Sequence, residues 1–243
     1  MKRFLMLDYD GTLTPLRKHP KLARLSPNRK SFLRQLASRS GTKLAIISGR
    51  KLSSVKRMVG LRNIIYIGNH GFEIEAGGRR WIHPAAKGFM SLLKKAKRTL
   101  KNKLPYQGMF VEDKGLTVSV HYRALTKKVF PAFNKLFSRV VKPWQGRIKI
   151  THGKKVFEIR PPVDWNKGKA VKWVINALKL KDYQPIYIGD DVTDEDAFRA
   201  LKSKGITLHV GGGKTSAKMR VKNVKGVYRY LRGLIKNESK NTV

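Results

Sequence analysis

Residues 4–12 read Phe4-Leu5-Met6-Leu7-Asp8-Tyr9-Asp10-Gly11-Thr12: four apolar side chains without alternation, then two carboxylates and a glycine. A strand with one wet face alternates apolar and polar residues. An uninterrupted apolar run of this length suits a strand covered on both faces, as in a parallel sheet. The same grammar recurs along the chain. Leu44–Ile47 runs into Ser48-Gly49-Arg50, and Ile64–Ile67 runs into Gly68-Asn69-His70-Gly71. Pro185–Ile188 runs into Gly189-Asp190-Asp191, and Ile206–Val210 into three glycines.

Helical patterns lie between these runs. Ser26-Pro27 offers an N-cap and an N1 proline for a helix to about Ser38. Asn166 caps a predicted helix to about Leu180, with Ala170, Val171, Val174, Ile175 and Leu178 as its apolar stripe. Thr193 is expected to cap another, with Asp194, Glu195 and Asp196 at its positive end. Strand–helix alternation implies an α/β fold with a doubly wound, mostly parallel sheet. Ligands bind such sheets beyond the carboxyl ends of the strands, where the polar residues after each run fall.

The middle of the chain has another rhythm. A basic helical stretch at about 87–100 is followed by strand-like segments 109–113 and 116–122. A second helix, about 126–141, is followed by a hairpin of 147–151 and 154–160 around His152-Gly153. Helix–strand–strand repeated twice predicts a smaller α+β cap inserted at 83–163, with a core of 1–82 and 164–243.

Composition narrows the chemistry. The chain has no cysteine, so disulfides, thiolate metal sites and cysteine nucleophiles are excluded. Asp8 and Asp10 interrupt the apolar opening too early for a signal-peptide core, and no apolar stretch approaches a membrane span. A cytoplasmic monomer without a membrane or specific nucleic-acid partner is the expectation. The 54 Lys and Arg against 15 Asp and Glu give a net charge of +39. That imbalance is compatible with a polyanion binder, but the cations are spread along the chain without a zinc-finger or aromatic RNA-binding pattern.

Seven of the fifteen acids sit in two windows, Asp8 with Asp10, and Asp190, Asp191, Asp194, Glu195 and Asp196. Neighbouring carboxylates repel unless a cation or a shared proton holds them. If the fold joins the windows, a hard-cation site results. Otherwise the first is a turn and the second a helix start. Two carboxylates two residues apart can enter one pocket if the chain turns at once, which Gly11 permits. One can then attack phosphorus while the other moves protons.

These motifs resemble the haloacid dehalogenase superfamily over nearly the whole chain. Its four motifs are matched in order by Asp8–Pro15, by Ser48 in Ile47–Arg50, by Lys167 in Asn166–Gly168, and by Gly189–Phe198. The fourth string looks like the trehalose-6-phosphate phosphatase branch. So do Val111–Lys114, His121-Tyr122-Arg123 and Lys155–Pro161 of the cap. Gly68-Asn69-His70-Gly71 is similar as well, although that branch more often carries Glu at the position of Asn69.

The resemblance implies an Mg2+-dependent phosphatase acting on a sugar phosphate, trehalose 6-phosphate. Asp8 would be the nucleophile and Asp10 the acid and then the base. Ser48, Gly49 and Lys167 would bind the phosphate. Mg2+ would lie on Asp8, the Asp10 carbonyl and Asp190, with Asp191 or Asp194 nearby. Sugar contacts would come from Arg50, Asn69, His70, Glu112, Lys114, Arg123, Lys155, Glu158, Arg160 and Asn166. Strand alternation puts Lys154, Glu158 and Arg160 on one face and Phe157 and Ile159 on the other. The first set is a binding face or an ordinary solvated one. Rival readings are a phosphatase of sucrose phosphate or of a glycosyl phosphoglycerate, and a basic nucleic-acid binder on a phosphatase fold.

Overall fold

The computed structural model describes residues 2–17, 22–153 and 155–240, so Lys154 lies outside the described residues. The chain divides into two compact units, Met1–Trp81 with Trp165–Val243, and Ile82–Asp164.

The larger unit is built on an eight-stranded sheet. Its strands are β1 (Arg3–Asp8), β2 (Thr42–Ile47), β3 (Ile65–Gly68), β4 (Glu73–Ala76), β5 (Arg79–Ile82), β10 (Gln184–Gly189), β11 (Ile206–Val210) and β12 (Met219–Val221). Their order is β12-β11-β10-β1-β2-β3-β4-β5. The pairs from β12 through to β3 are parallel, and β4 returns antiparallel to β3. β1 thus sits centrally, flanked by β10 and β2.

The unbroken apolar runs follow from burial on both faces. Leu5, Leu7, Leu44, Ile46, Ile186 and Ile188 join one core cluster. It also takes in α1 (Pro27–Ala37), α2 (Leu52–Val59) and α8 (Val224–Lys240), through Leu33, Val55 and Leu231. Phe4, Met6, Ala45, Ile47 and Tyr187 point the other way, onto α6 (Lys167–Ala177) and α7 (Glu195–Ala200), through Val171 and Phe198. Among the described residues no helix is long and apolar enough to cross a membrane.

Two helix boundaries depart from expectation. α6 stops at Ala177 because Lys179 turns left-handed (φ 53°), and Leu180 N–H closes back on Ile175 O at 2.8 Å. At the acidic string Asp191, not Thr193, is the cap. It forms a capping box with Asp194 around a 3-10 turn at Val192–Asp194, and α7 starts only after that.

The smaller unit is a four-stranded antiparallel sheet in the order β6-β7-β9-β8. The strands are β6 (Phe110–Asp113), β7 (Val118–His121), β8 (Lys149–Gly153) and β9 (Val156–Arg160). The expected basic helix at 87–100 is two pieces, α3 (Pro84–Lys87) and α4 (Met90–Lys103), broken at Gly88-Phe89. α4 and α5 (Phe130–Val141) pack with Val118, Val120, Phe157 and Ile159 into a separate aromatic-rich core. The opposite sheet face carries Glu112, Ser119, His121, Glu158 and Arg160. Neither α4 nor α5 contains an acidic residue, so every charged side chain on these two helices is a cation.

Candidate active site

β1 ends at Asp8, and Tyr9 turns into the core, where its hydroxyl donates to Ala23 O at 2.7 Å. The chain then folds back tightly: Thr14 N–H reaches Tyr9 O at 3.1 Å and Gly11 N–H reaches Thr14 O at 2.7 Å. Gly11 is left-handed (φ 88°), and a Cβ there would meet Asp190 Oδ2 at 2.2 Å. Only glycine makes this turn and also lets the end of β10 close onto it. This contact joins the two acidic windows.

One carboxylate oxygen from each of Asp8, Asp190 and Asp194, all buried, lies within 4.8 Å of the other two. Lys167, 2% exposed at the first turn of α6, reaches Asp8 Oδ1 at 2.6 Å and Asp194 Oδ1 at 2.7 Å. Asp194 Oδ2 accepts the N–H groups of Asp190 (3.0 Å) and Asp191 (2.9 Å), and Tyr187 donates to Oδ1 at 2.7 Å. Thr12 donates to Asp190 Oδ1 at 3.3 Å.

Burial pushes the Asp8 carboxyl well above the usual carboxylate range, with Lys167 pulling the other way and the Asp194 and Asp190 charges adding to the rise. Burial would do the same to Asp194, but Lys167 and the hydrogen bonds around it hold that carboxyl below the usual value. Burial alone would lower the Lys167 ammonium. The two carboxylates outweigh it and hold the ammonium above the ordinary lysine range.

Asp10 stands apart from the buried cluster. Arg50 grips it bidentately, Nε to Oδ2 and Nη2 to Oδ1, each at 2.6 Å. The structure therefore places Arg50 on Asp10 and over the Tyr9 ring. Ser48 is buried, and its Oγ accepts Arg50 N–H at 3.1 Å, which leaves the hydroxyl proton to donate. A Cβ on Gly49 would meet His70 Nε2 at 2.4 Å, so the imidazole lies directly over that loop. Asn69 N–H and His70 N–H hold Arg50 O (2.7 Å) and Ser48 O (3.1 Å), zipping the loops after β2 and β3 together.

Asn69 is wholly buried and donates to Glu73 Oε2 at 2.9 Å. The same oxygen accepts Leu52 N–H at the start of α2, and Arg80 holds Oε1 at 2.6 Å. An amide at position 69 suits this setting, where a second carboxylate would repel Glu73. Asn166 caps α6, its Oδ1 accepting Lys169 N–H at 2.9 Å.

In the smaller unit Glu158 is 5% exposed and accepts from Lys114 (3.1 and 3.2 Å), Thr117 (2.9 Å) and Ser119 (2.9 Å). Glu112 meets His121 Nε2 at 2.8 Å. Burial would raise its carboxyl, but His121 and Lys114 hold it below the usual value. Arg160 is buried on the same strand as Glu158. Arg123 is exposed just past β7, and Lys155 lies on the β8–β9 hairpin with its ammonium 5.9 Å over Phe130.

Asp194 stands at the margin of the expected cation site, and Tyr187, Thr12 and Glu73 carry no motif role in the sequence. The four-residue step from Asp190 to Asp194 is a usable signal for the first. The other three announce themselves only through tertiary contacts.

A family model described as trehalose-phosphatase matches residues 6–226. A protein of Oryza sativa subsp. japonica named probable trehalose-phosphate phosphatase 4 is 33% identical, over 99% of this chain and 68% of its own length. The trehalose-phosphate phosphatase of Mycobacterium tuberculosis is 37% identical over 85% of this chain and 53% of its own length. The chain thus spans about half to two thirds of the length of these relatives. The C-terminal domain of C. albicans trehalose-6-phosphate phosphatase superposes with a TM-score of 0.80 at 25% identity, covering 95% of this chain and 90% of that one. A trehalose-6-phosphate phosphatase related protein shares the fold with a TM-score of 0.85 at 24% identity, covering 98% and 99%.

Proposed function

The chain belongs to the trehalose-phosphatase family, and on that premise we propose that it hydrolyses trehalose 6-phosphate to trehalose and inorganic phosphate through a phosphorylated Asp8. The observation that carries this reading is the buried Asp8–Lys167–Asp194 chain with Asp190 beside it, at the carboxyl end of the central strand. A carboxylate so placed has its position set by an ammonium and has an acidic cluster to share a cation with. Those are the needs of a nucleophile facing a phosphate dianion.

In the first step an Asp8 carboxylate oxygen bonds to phosphorus, and the phosphorus–oxygen bond to the sugar breaks. Asp10 supplies the proton that the departing sugar oxygen takes. In the second step Asp10 takes a proton from water, whose oxygen bonds to phosphorus and releases Asp8 and phosphate. Ser48 donates its hydroxyl to the phosphate, Gly49 leaves room for it, and Lys167 balances its charge. Arg50 holds Asp10 by both oxygens, which sets the direction of the proton-carrying group.

The donor set fits a divalent cation. Three buried carboxylates converge, and burial disfavours the anionic form of Asp8 that the chemistry requires. Asp194 has its oxygens taken up by four donors, so Asp8, Asp190 and the Asp10 carbonyl are the proposed holders. Asp191, whose Oδ1 is buried without a hydrogen-bond partner among the described residues, is the further oxygen offered to it. The cation proposed is Mg2+, which when bound supplies positive charge to the phosphoryl oxygens. Every group named belongs to one chain, so the reading requires no second copy.

For the sugar, support comes from the polar face of the smaller unit. Glu112, Lys114 and Arg160 offer charged donors and acceptors of the kind that hydroxyl groups match, and Glu158, its oxygens taken by Lys114, Thr117 and Ser119, is proposed to fix that face. His70 is proposed as a further contact from the loop over Gly49, and Asn69 as the residue that fixes that loop. Arg123 and Lys155 complete the proposed contact set.

A phosphate-release screen over sugar phosphates, with Mg2+ and with EDTA, tests the assignment. Trehalose 6-phosphate is expected to be the best substrate, with turnover abolished by EDTA. A clear preference for another sugar phosphate sinks the substrate assignment. The +39 charge adds a second expectation. Attraction of a dianion is screened by salt, so kcat/KM is expected to fall several-fold between about 20 mM and about 500 mM salt, with kcat nearly constant. Steady-state kinetics against ionic strength checks this, and a flat kcat/KM removes the electrostatic contribution.

A further inference from the structure

Tyr187 is a fully buried polar side chain beneath the carboxylate cluster, and the chemistry above makes no use of it. It stands in the middle of β10, opposite Met6 of β1 and Thr207 of β11, and its ring packs edge-on against Phe198 at 5.6 Å. Its hydroxyl donates to Asp194 Oδ1, the oxygen that also takes the Lys167 ammonium. The other Asp194 oxygen clamps the N–H groups of Asp190 and Asp191. A carboxylate offers about four acceptor sites, and here all are used by four donors from three segments.

This saturation has a consequence for Asp8. Lys167 is shared between two buried carboxylates at nearly equal distances, 2.6 and 2.7 Å. Whatever satisfies Asp194 from another direction lessens its pull on the ammonium and leaves more of Lys167 for Asp8. A phenol does this without adding positive charge, which in this cluster would compete with a bound cation. Burial and the neighbouring carboxylates raise the Tyr187 phenol well above its ordinary range, so it remains a donor.

We propose that Tyr187 is a positioning residue for phosphoryl transfer: its hydroxyl fixes Asp194, and through Asp194 it keeps Lys167 on Asp8 and the Asp190–Asp191 turn in place. The inference rests on the reading of Asp8 as nucleophile. It does not depend on which sugar carries the phosphate.

Tyr187→Phe deletes the hydroxyl and keeps the ring. With p-nitrophenyl phosphate and with trehalose 6-phosphate, kcat is expected to fall roughly tenfold, the value of one hydrogen bond to a charged group. KM should change less than about twofold, because the contact is to the machinery and not to substrate. Phe198→Leu is the packing control: it loosens the ring's neighbour, lowers Tm, and is expected to keep kcat within about twofold. A Tyr187→Phe protein with wild-type kcat overturns the proposal. So does a loss confined to KM, or an equal kcat loss in Phe198→Leu. Wild-type protein that turns over p-nitrophenyl phosphate but not trehalose 6-phosphate sinks the substrate assignment alone, and the Tyr187 comparison is then read on the former. Wild-type protein that hydrolyses neither overturns both.

Discussion

Asp8→Asn is expected to lower kcat by at least about 10^4-fold, as loss of a nucleophile does, while leaving the metal-free protein as stable as wild type or more so. The second half follows from burial. A carboxyl whose folded-state pKa is raised costs stability at every pH above its unfolded value, because the buried anion is the disfavoured form. An amide removes that cost and still offers Lys167 an oxygen at the same place. In EDTA, wild-type protein should therefore gain stability as pH falls from neutral through the raised Asp8 pKa toward the ordinary carboxylate value near ~4, and Asp8→Asn should not. Asp194 acts in the opposite sense and in a lower window. Its folded pKa is depressed, so its contribution is present above the ordinary carboxylate value and is lost as pH falls through the depressed one. Thermal melting in EDTA at several pH values, beside phosphate-release assays, separates the two claims. Wild-type turnover by Asp8→Asn ends the mechanism. A large drop in its metal-free Tm ends the argument about burial.

The architecture was legible because the sheet is buried on both sides. Phe4 and Met6 face one helical layer and Leu5 and Leu7 the other, so β1 between Arg3 and Asp8 has no polar position to blur it. What the sequence leaves unmarked is local. The β4–β5 hairpin turns at Gly77-Gly78, both left-handed, but its strands carry Glu73, Glu75, Arg79 and Arg80 and offer no apolar run. α6 ended early on a left-handed Lys179, where glycine would have been the visible sign. Thr193 looked like a cap because Thr is a good one, yet Asp191 three residues before Asp194 makes the reciprocal pair.

Inside the candidate site the line between legible and hidden is the line between motif and network. Asp8, Asp10 and Asp190 stand at strand ends, where position alone marks them. Asp194 needs Lys167, 27 positions away, to show why its carboxylate is fully occupied. Arg50 followed Ser48 in a motif, but its bidentate hold on Asp10 depends on two loops that the sequence separates by 40 positions. Asn69 is held by Glu73, a buried neighbour four residues on, and that contact has no motif to announce it.

Lys167→Met tests the same buried cluster from the other side and should give the opposite stability result. The thioether side chain fills much of the volume of the lysine stem but leaves Asp8 and Asp194 with no shared cation. Removing one partner of a buried ion pair costs about 3–5 kcal/mol, because the remaining charge stays out of water. Metal-free Lys167→Met is therefore expected to melt well below wild type, whereas Asp8→Asn does not, although the two side chains touch at 2.6 Å. Mg2+ should recover part of the loss, since a cation on Asp8 and Asp190 answers the Asp8 charge and leaves Asp194 with only its neutral donors, Tyr187 and the two backbone N–H groups. Turnover should stay at least about a thousandfold down even with saturating Mg2+, because the phosphate has lost its ammonium partner. Combining the changes sharpens the point. Adding Asp8→Asn to Lys167→Met should restore some stability, a sign of coupling that two independent sites do not show. If Lys167→Met melts like wild type in EDTA, Lys167 is not what holds the two carboxylates together, and the charge accounting at Asp8 fails with it.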